Sequence, residues 1–204
     1  MLSLRTIEPH TLELLKALMQ EPVLSELRLV GGTALALQYG HRSSIDLDLF
    51  GKIDIDAYEL QSILSKHGVL RVENETKLIH QYNIDNIKVD VVNYPFDWIS
   101  PMIEDEGVRL ASPIDIAAMK VNAIEGRGTK KDFIDMYMLL QHYSLEEILG
   151  LYQQKYPNHS VFRALRSMTY FDDAEEQFMP RMFVDDTWEE MKQFIINKVK
   201  EVRI

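Results

Sequence analysis

Two aspartates, Asp46 and Asp48, stand two residues apart in an apolar run, Ile45-Asp46-Leu47-Asp48-Leu49-Phe50. On a strand, residues i and i+2 point to the same face. The pair then projects together while Leu47 and Leu49 turn into a core. Carboxylates held that close repel, and ionising both is costly unless a cation sits between them. A hard divalent ion with oxygen ligands, Mg²⁺ before others, suits such donors. Upstream, the apolar segment Leu27 to Val30 runs into Gly31-Gly32-Thr33 and a helix-like stretch. Glycine lacks a Cβ and helix N-termini attract anions, so this turn suits the approach of a phosphate. Each signal has an ordinary alternative: a Gly-Gly pair is a common turn, and D-x-D is a common solvated sheet face.

The elements that must hold these residues can be read from pattern. Leu12, Leu15, Leu18 and Met19 predict a helix from Pro9 to Met19. A strand at Leu27 to Val30 and a helix from Thr33 to Tyr39 follow. Asp54 or Asp56 can cap a helix carrying Leu60, Ile63 and Leu64, which Gly68 ends. A strand is expected near Val69 to Glu73, then a hairpin turning at Asp85-Asn86. A two-residue loop there places Ile84 opposite Ile87, Tyr82 opposite Val89 and Gln81 opposite Asp90. Asp90 lies within Val89-Asp90-Val91-Val92, a strand apolar enough to be central. Its carboxylate either meets an ion or strong donor that offsets burial, or lies on a solvated face opposite Gln81.

The second half reads as helices. Ser112-Pro113-Ile114-Asp115 supplies a cap, a first-turn proline and a third-position acid for a helix running to Glu125. Lys120 falls within its apolar stripe of Ile116, Ala117, Ala123 and Ile124, so it either snorkels to the edge or holds a buried anion. Thr129 and Asp132 form a capping-box pattern for the next helix, with Phe133, Tyr137 and Leu140 on its core face. Ser144 to Glu147 opens another helix, ending at Tyr156-Pro157, and His159 to Thr169 reads as helical. Tyr170 to Glu176 reads as a solvated acidic linker, too irregular for a calcium loop. Thr187 to Glu190 caps a last amphipathic helix, on which Trp188 is a packing anchor.

At 204 residues the chain can form one large domain or two small ones. It has no cysteine, which removes disulfides and thiolate chemistry together and fits a reducing compartment. No stretch approaches the ~20 apolar residues of a membrane span, and MLSLRTIEPH has no signal-type apolar run, so a cytoplasmic place with no membrane partner is expected. The net charge of -10 argues against a general nucleic-acid coat. A local basic patch remains available where Arg127, Lys130 and Lys131 lie close together.

A glycine turn, a hydroxyl residue, a short helix and then D-x-D on an apolar strand resemble the polymerase-β-like nucleotidyltransferases. GGTALAL, followed by His41-Arg42 and Ser44 to Phe50, is similar in particular to the AbiEii/AbiGii-type toxin family. The resemblance implies an α/β (α+β) fold: a small mixed sheet with flanking helices as a core over 1–110, then a helical part over 111–204. It implies Asp46, Asp48 and Asp90 as metal ligands and catalytic carboxylates, with Asp90 activating the acceptor or sharing a second ion. Lys120 corresponds to a family lysine that faces the nucleotide. Lys131-Asp132-Phe133-Ile134-Asp135 fits the family's basic-Asp-x-x-Asp pattern, which makes Asp132 both a cap candidate and a candidate partner of Lys120. Gly31, Gly32, Thr33, Arg42 and Lys120 are then expected to hold the triphosphate.

The activity so implied moves an NMP from Mg²⁺-bound NTP to an acceptor hydroxyl, by positioning and charge neutralisation more than by covalent chemistry. The implied acceptor is a tRNA 3′ end, and the implied neutralising partner is a separately encoded antitoxin. Two other classes stay open: a small-molecule nucleotidyltransferase of the antibiotic-modifying kind, and a non-catalytic binder of nucleotide or a partner protein.

Overall fold

The computed structural model describes residues 1–202, in two compact units. The first comprises Met1–Pro95 and Met102–Ala111. It is built on strands β1 (Arg28–Leu29), β2 (Leu47–Gly51), β3 (Leu70–Glu75), β4 (Ile79–Ile84), β5 (Ile87–Asn93), β6 (Ile103–Asp105) and β7 (Val108–Leu110), with helices α1 (Pro9–Met19), α2 (Gly31–Tyr39) and α3 (Ala57–Leu64). The sheet order is β3-β4-β5-β2-β1-β7-β6. It is mixed, as expected for the fold class: β2 runs parallel to β5 and β1 to β7, while the other pairs are antiparallel.

The central strands alternate as their sequences dictate. Leu47, Leu49, Val89 and Val91 are buried, and Asp48 and Asp90 emerge on the opposite side of the pleat. The Asp85-Asn86 hairpin has the expected register, with Ile84 opposite Ile87, Tyr82 opposite Val89 and Gln81 opposite Asp90. Both turn residues have positive φ, 49° and 69°, as a turn matched to the strand twist requires. Helix α1 buries Leu14 with Leu15, Leu18 and Met19, and leaves the expected Leu12 only half-buried. Asp56 accepts from the Glu59 amide and caps α3.

Other features depart from the pattern reading. The segment just before Ser112, to which the sequence pattern assigns no element, holds the β6–β7 hairpin, turning at Glu106 and Gly107 with φ of 51° and 79°. Three-residue strands are too short to show alternation; what stabilises them is the pairing of β7 with β1 and Arg109, whose guanidinium donates to the carbonyls of Met19, Leu24 and Leu27. In addition, α2 begins at Gly31, two residues before the expected start.

The second unit comprises Phe96–Pro101 and the chain from Ser112 onward. Its helices are α4 (Pro113–Gly126), α5 (Lys130–Leu139), α6 (Leu145–Lys155), α7 (Val161–Ser167), α8 (Asp172–Glu175) and α9 (Trp188–Glu201). Ser112 caps α4, and reciprocal boxes at Thr129, Ser144 and Thr187 start α5, α6 and α9. The acidic segment expected as a solvated linker forms α8, because Phe171 and Ala174 are buried; Phe171 packs against Phe133 and Trp188 at ring-centre distances of 4.7 and 5.9 Å. A buried pair, Lys155 Nζ to Asp115 Oδ1 at 2.8 Å, ties down the Phe96–Pro101 segment. Asp115 accepts from the amides of Ile99 and Ser100, and Lys155 donates to the Asp97 carbonyl. Among the described residues no helix is long and apolar enough to cross a membrane.

Candidate active site

The parallel register of β2 and β5 sets Asp48 directly beside Asp90, on the same face of the sheet. Asp46 lies just ahead of β2, so the alternation of a single strand does not place it; the loop does. Its carbonyl accepts from Thr33 Oγ1, which accepts in turn from the Ser44 hydroxyl at 2.8 Å. The Thr33 hydroxyl, expected to meet phosphate, is thus committed to fixing the loop that carries Asp46.

Gly31 shows why that turn must be glycine. Its φ is 68°, and a Cβ there would collide with the Asp48 carboxylate. The backbone of Val30 donates to the Asp48 carbonyl at 2.8 Å, so the start of α2 and the middle of β2 form one packed corner. No side chain caps α2. The N–H groups of Gly31 and Gly32 therefore lie at an uncapped helix start next to a carboxylate, an arrangement that favours negative charge.

Asp90 is held from one side only. Its Oδ2 accepts from Lys88 Nζ at 3.0 Å and from Gln81 Nε2 at 3.1 Å, while its buried Oδ1 has no hydrogen-bond partner among the described residues. Burial works against the Lys88 ammonium, but the hydrogen bond to Asp90 and the charges of Asp90, Asp48 and Asp46 outweigh it and raise its pKa. Lys88 therefore lies in the combined field of all three aspartates. The sequence reading passed over it, although its i−2 spacing from Asp90 on a strand was a usable signal.

The donor set suits a hard divalent ion: carboxylate oxygens of Asp48 and Asp90 side by side, a buried Oδ1 without a donor, and Asp46 on the adjoining loop. It is not a closed cage, because among the described residues no three His, Asp or Glu side chains form a group that could hold a metal. A lysine supplies local positive charge instead. Arg42, expected to reach a phosphate, is buried at 2% exposure, with Nη1 on the Ser43 carbonyl.

The remaining candidates lie in the helical unit. Lys120 is buried, and its ammonium holds Asp135 Oδ2 at 2.6 Å and Asp132 Oδ1 at 3.1 Å, so the buried-anion alternative is the one realised. Asp132 does two jobs at once: it completes the Thr129 capping box and accepts a two-pronged contact from Arg127, Nε to Oδ2 at 2.9 Å and Nη2 to Oδ1 at 3.0 Å. Burial alone would raise the Asp132 pKa, but Lys120, Arg127 and Thr129 hold it well below the usual carboxylate range.

Known proteins are similar to this chain. A relative in Aquifex aeolicus (strain VF5), described only as an uncharacterized protein, is 31% identical over 208 residues, covering 97% of this chain and 98% of its own. MenT4, a nucleotidyltransferase toxin of Mycobacterium tuberculosis H37Rv, superposes with a TM-score of 0.58 at 13% identity, over 95% of this chain and 82% of that one. JHP933 from Helicobacter pylori gives 0.53 at 21% identity, over 98% and 94%. The antibiotic-resistance factor ANT(2'')-Ia gives 0.52 at 18%, over 71% and 91%. At these identities the likenesses speak for the fold. The family described as "Nucleotidyl transferase AbiEii toxin, Type IV TA system" matches residues 13–201. With the glycine corner and the paired aspartates in place across nearly its whole length, this chain belongs to the AbiEii family of nucleotidyltransferase toxins.

Proposed function

We propose that the protein transfers an NMP from a Mg²⁺-bound NTP to the 3′-terminal hydroxyl of a tRNA, and that a separately encoded antitoxin restrains it in the cytoplasm. The observation that carries the reading is the side-by-side placement of Asp48 and Asp90 against the glycine corner at Gly31. Asp48 and the Oδ2 of Asp90 would hold the ion, with Asp46 standing on the adjoining loop. When bound, it neutralises triphosphate charge and polarises the α-phosphate. Gly31 and Gly32 let the phosphates approach the backbone at the start of α2, where N–H groups attract anions. Asp90 Oδ1 takes the proton of the attacking hydroxyl. The oxygen of the acceptor hydroxyl then bonds the α-phosphorus as the bond to pyrophosphate breaks. Lys88, displaced from Asp90, supplies positive charge to the leaving pyrophosphate. Lys120 and Asp132 are proposed to serve the reaction through the helical unit, Asp132 by fixing the lysine.

The experiment is incubation with Mg²⁺, each labelled NTP in turn and total tRNA, beside Asp48→Asn. Label on tRNA with the wild type and a loss of at least about 10²-fold in the variant support the reading. NTP binding without transfer to any acceptor overturns it in favour of a binding module.

A second reading has its own observation. A hollow of about 250 Å³ is lined by Asp46, Glu8 and Asp85 with His10 and Lys88, so acids outnumber bases around it. Such a lining suits a cationic, hydroxyl-bearing small molecule as acceptor. Label appearing on an aminoglycoside rather than on tRNA would select it.

A further inference from the structure

The basic residues Arg127, Lys130 and Lys131 do not form one patch. Lys130 is buried, its ammonium spent on the carbonyls of Glu175 and Gln177, and Lys131 is exposed. Arg127 is joined instead by Arg163 and Arg166 of α7 around a hollow of about 390 Å³ within the helical unit. Arg163 and Arg166 are three residues apart on the helix, so they share a face, and Ser167 and Tyr170 continue it into the same hollow.

The commitments of these side chains leave donors over. Arg127 spends its fork on Asp132, whose charge Lys120 also meets. Arg163 uses Nη2 on Glu125 Oε1 at 2.9 Å, and Glu125 also accepts from the Tyr152 hydroxyl. Arg166 has no side-chain partner among the described residues. Glu125 and Asp173 line the hollow as well and work against an anion; with Arg127 held by Asp132 and Arg163 shared with Glu125, Arg166 is the guanidinium left for one. Tyr170 is 54% exposed at the hollow, large enough and open enough to receive a flat ring.

We infer that this hollow is a binding site for a single-stranded nucleic-acid segment, its phosphodiesters on Arg163 and Arg166 and a base stacked on Tyr170. Guanidinium groups meet phosphate oxygens in pairs, and an aromatic face accepts any base, so guanidinium and ring together form a sequence-tolerant platform. The chain as a whole, at net charge -10, repels a polyanion, and a local arginine cluster is where such a ligand gains attraction. The inference concerns the acceptor half of the proposed reaction and rests on that reading for its purpose, while its test reads binding and not transfer.

The test is fluorescence anisotropy of a labelled ten-nucleotide RNA on the full chain across a salt series. The variants are Arg166→Gln, Tyr170→Ala and, as a control, the exposed Lys52→Gln of the sheet unit. The expected result is a three- to tenfold weaker Kd for Arg166→Gln with a salt slope lower by about 1. Tyr170→Ala should weaken binding at least about fivefold with the slope unchanged, and Lys52→Gln should do neither. Asp48→Asn should bind RNA like the wild type even where transfer is lost, so failure of the transfer reading remains distinguishable. No RNA binding by the wild type, equal weakening by Lys52→Gln, or wild-type Kd and slope in both hollow variants overturns the inference. Full displacement of the RNA by an equal concentration of ATP also overturns it, because the site would then be a nucleotide site.

Discussion

Lys88 Nζ lies 3.0 Å from Asp90 Oδ2, two positions earlier on the same strand, with the charges of Asp48 and Asp46 reinforcing the pair. The lysine is thus the local cation of a carboxylate cluster suited to a divalent one. A metal that binds there must compete with it.

Lys88→Met keeps the length of the side chain and removes the charge. The variant is expected to bind Mg²⁺ or Mn²⁺ more tightly, by up to about tenfold, and to lose about 0.5–1 kcal/mol of stability without metal, a small cost because the ammonium is partly exposed. Calorimetric titration with the metal alone and melting curves with and without it check both. Unchanged metal affinity would remove Lys88 from the site.

Gly31→Ala is expected to cost about 1–2 kcal/mol through its positive φ, and to lower transfer at least about 10²-fold by displacing the Asp48 carboxylate. Gly107→Ala is the control. Its φ of 79° brings the same backbone penalty, but nothing lies within 4 Å of the added Cβ, so activity should stay while the melting temperature falls. Equal activities in the two variants would dissociate the glycine corner from function.

Lys120→Met leaves Asp135 buried without its lysine and should destabilise the protein by about 3–5 kcal/mol. Adding Asp135→Asn should recover more than half of that loss, because the neutral amide no longer needs a counter-charge. Denaturant unfolding of the two single variants and the double completes the cycle. Additive losses would mean that the two residues do not act as a pair.

The depressed pKa of Asp132 makes stability depend on acid. Its folded value lies below the unfolded value of about 3.9, so the folded form binds fewer protons. Its contribution is present above that pH and is lost as pH falls toward the folded pKa. In Asp132→Asn this part of the acid limb should vanish, so its melting temperature approaches that of the wild type between about pH 5 and pH 2. A gap that stays constant over that range would assign the effect to the cap alone.

Much of this was legible because it is local. The Asp85-Asn86 turn fixed the register that puts Gln81 opposite Asp90, and spacing identified the caps at Ser112, Thr129, Ser144 and Thr187 and narrowed that of α3 to Asp54 or Asp56. Alternation on β2 and β5 separated the buried leucines and valines from Asp48 and Asp90, and the glycine–aspartate stretch identified the family. Each of these rests on neighbours within about one turn or one hairpin.

Tertiary structure decided what lies between distant segments. The parallel pairing of β2 with β5 aligned Asp48 with Asp90, a register that no local turn sets. The loop held by Thr33 placed Asp46 outside the strand, and β7 found its partner in β1. Burial turned an acidic stretch into α8, since Phe171 gains more from Phe133 and Trp188 than solvation offers it. Folding also brought Arg163 and Arg166 to Arg127, and Lys120 to Asp132 and Asp135. The sequence by itself determined which residues could do chemistry and which way each local element turns them. Which of them meet was decided by long-range packing, because charge and hydrogen bonding depend on distances that sequence spacing does not encode.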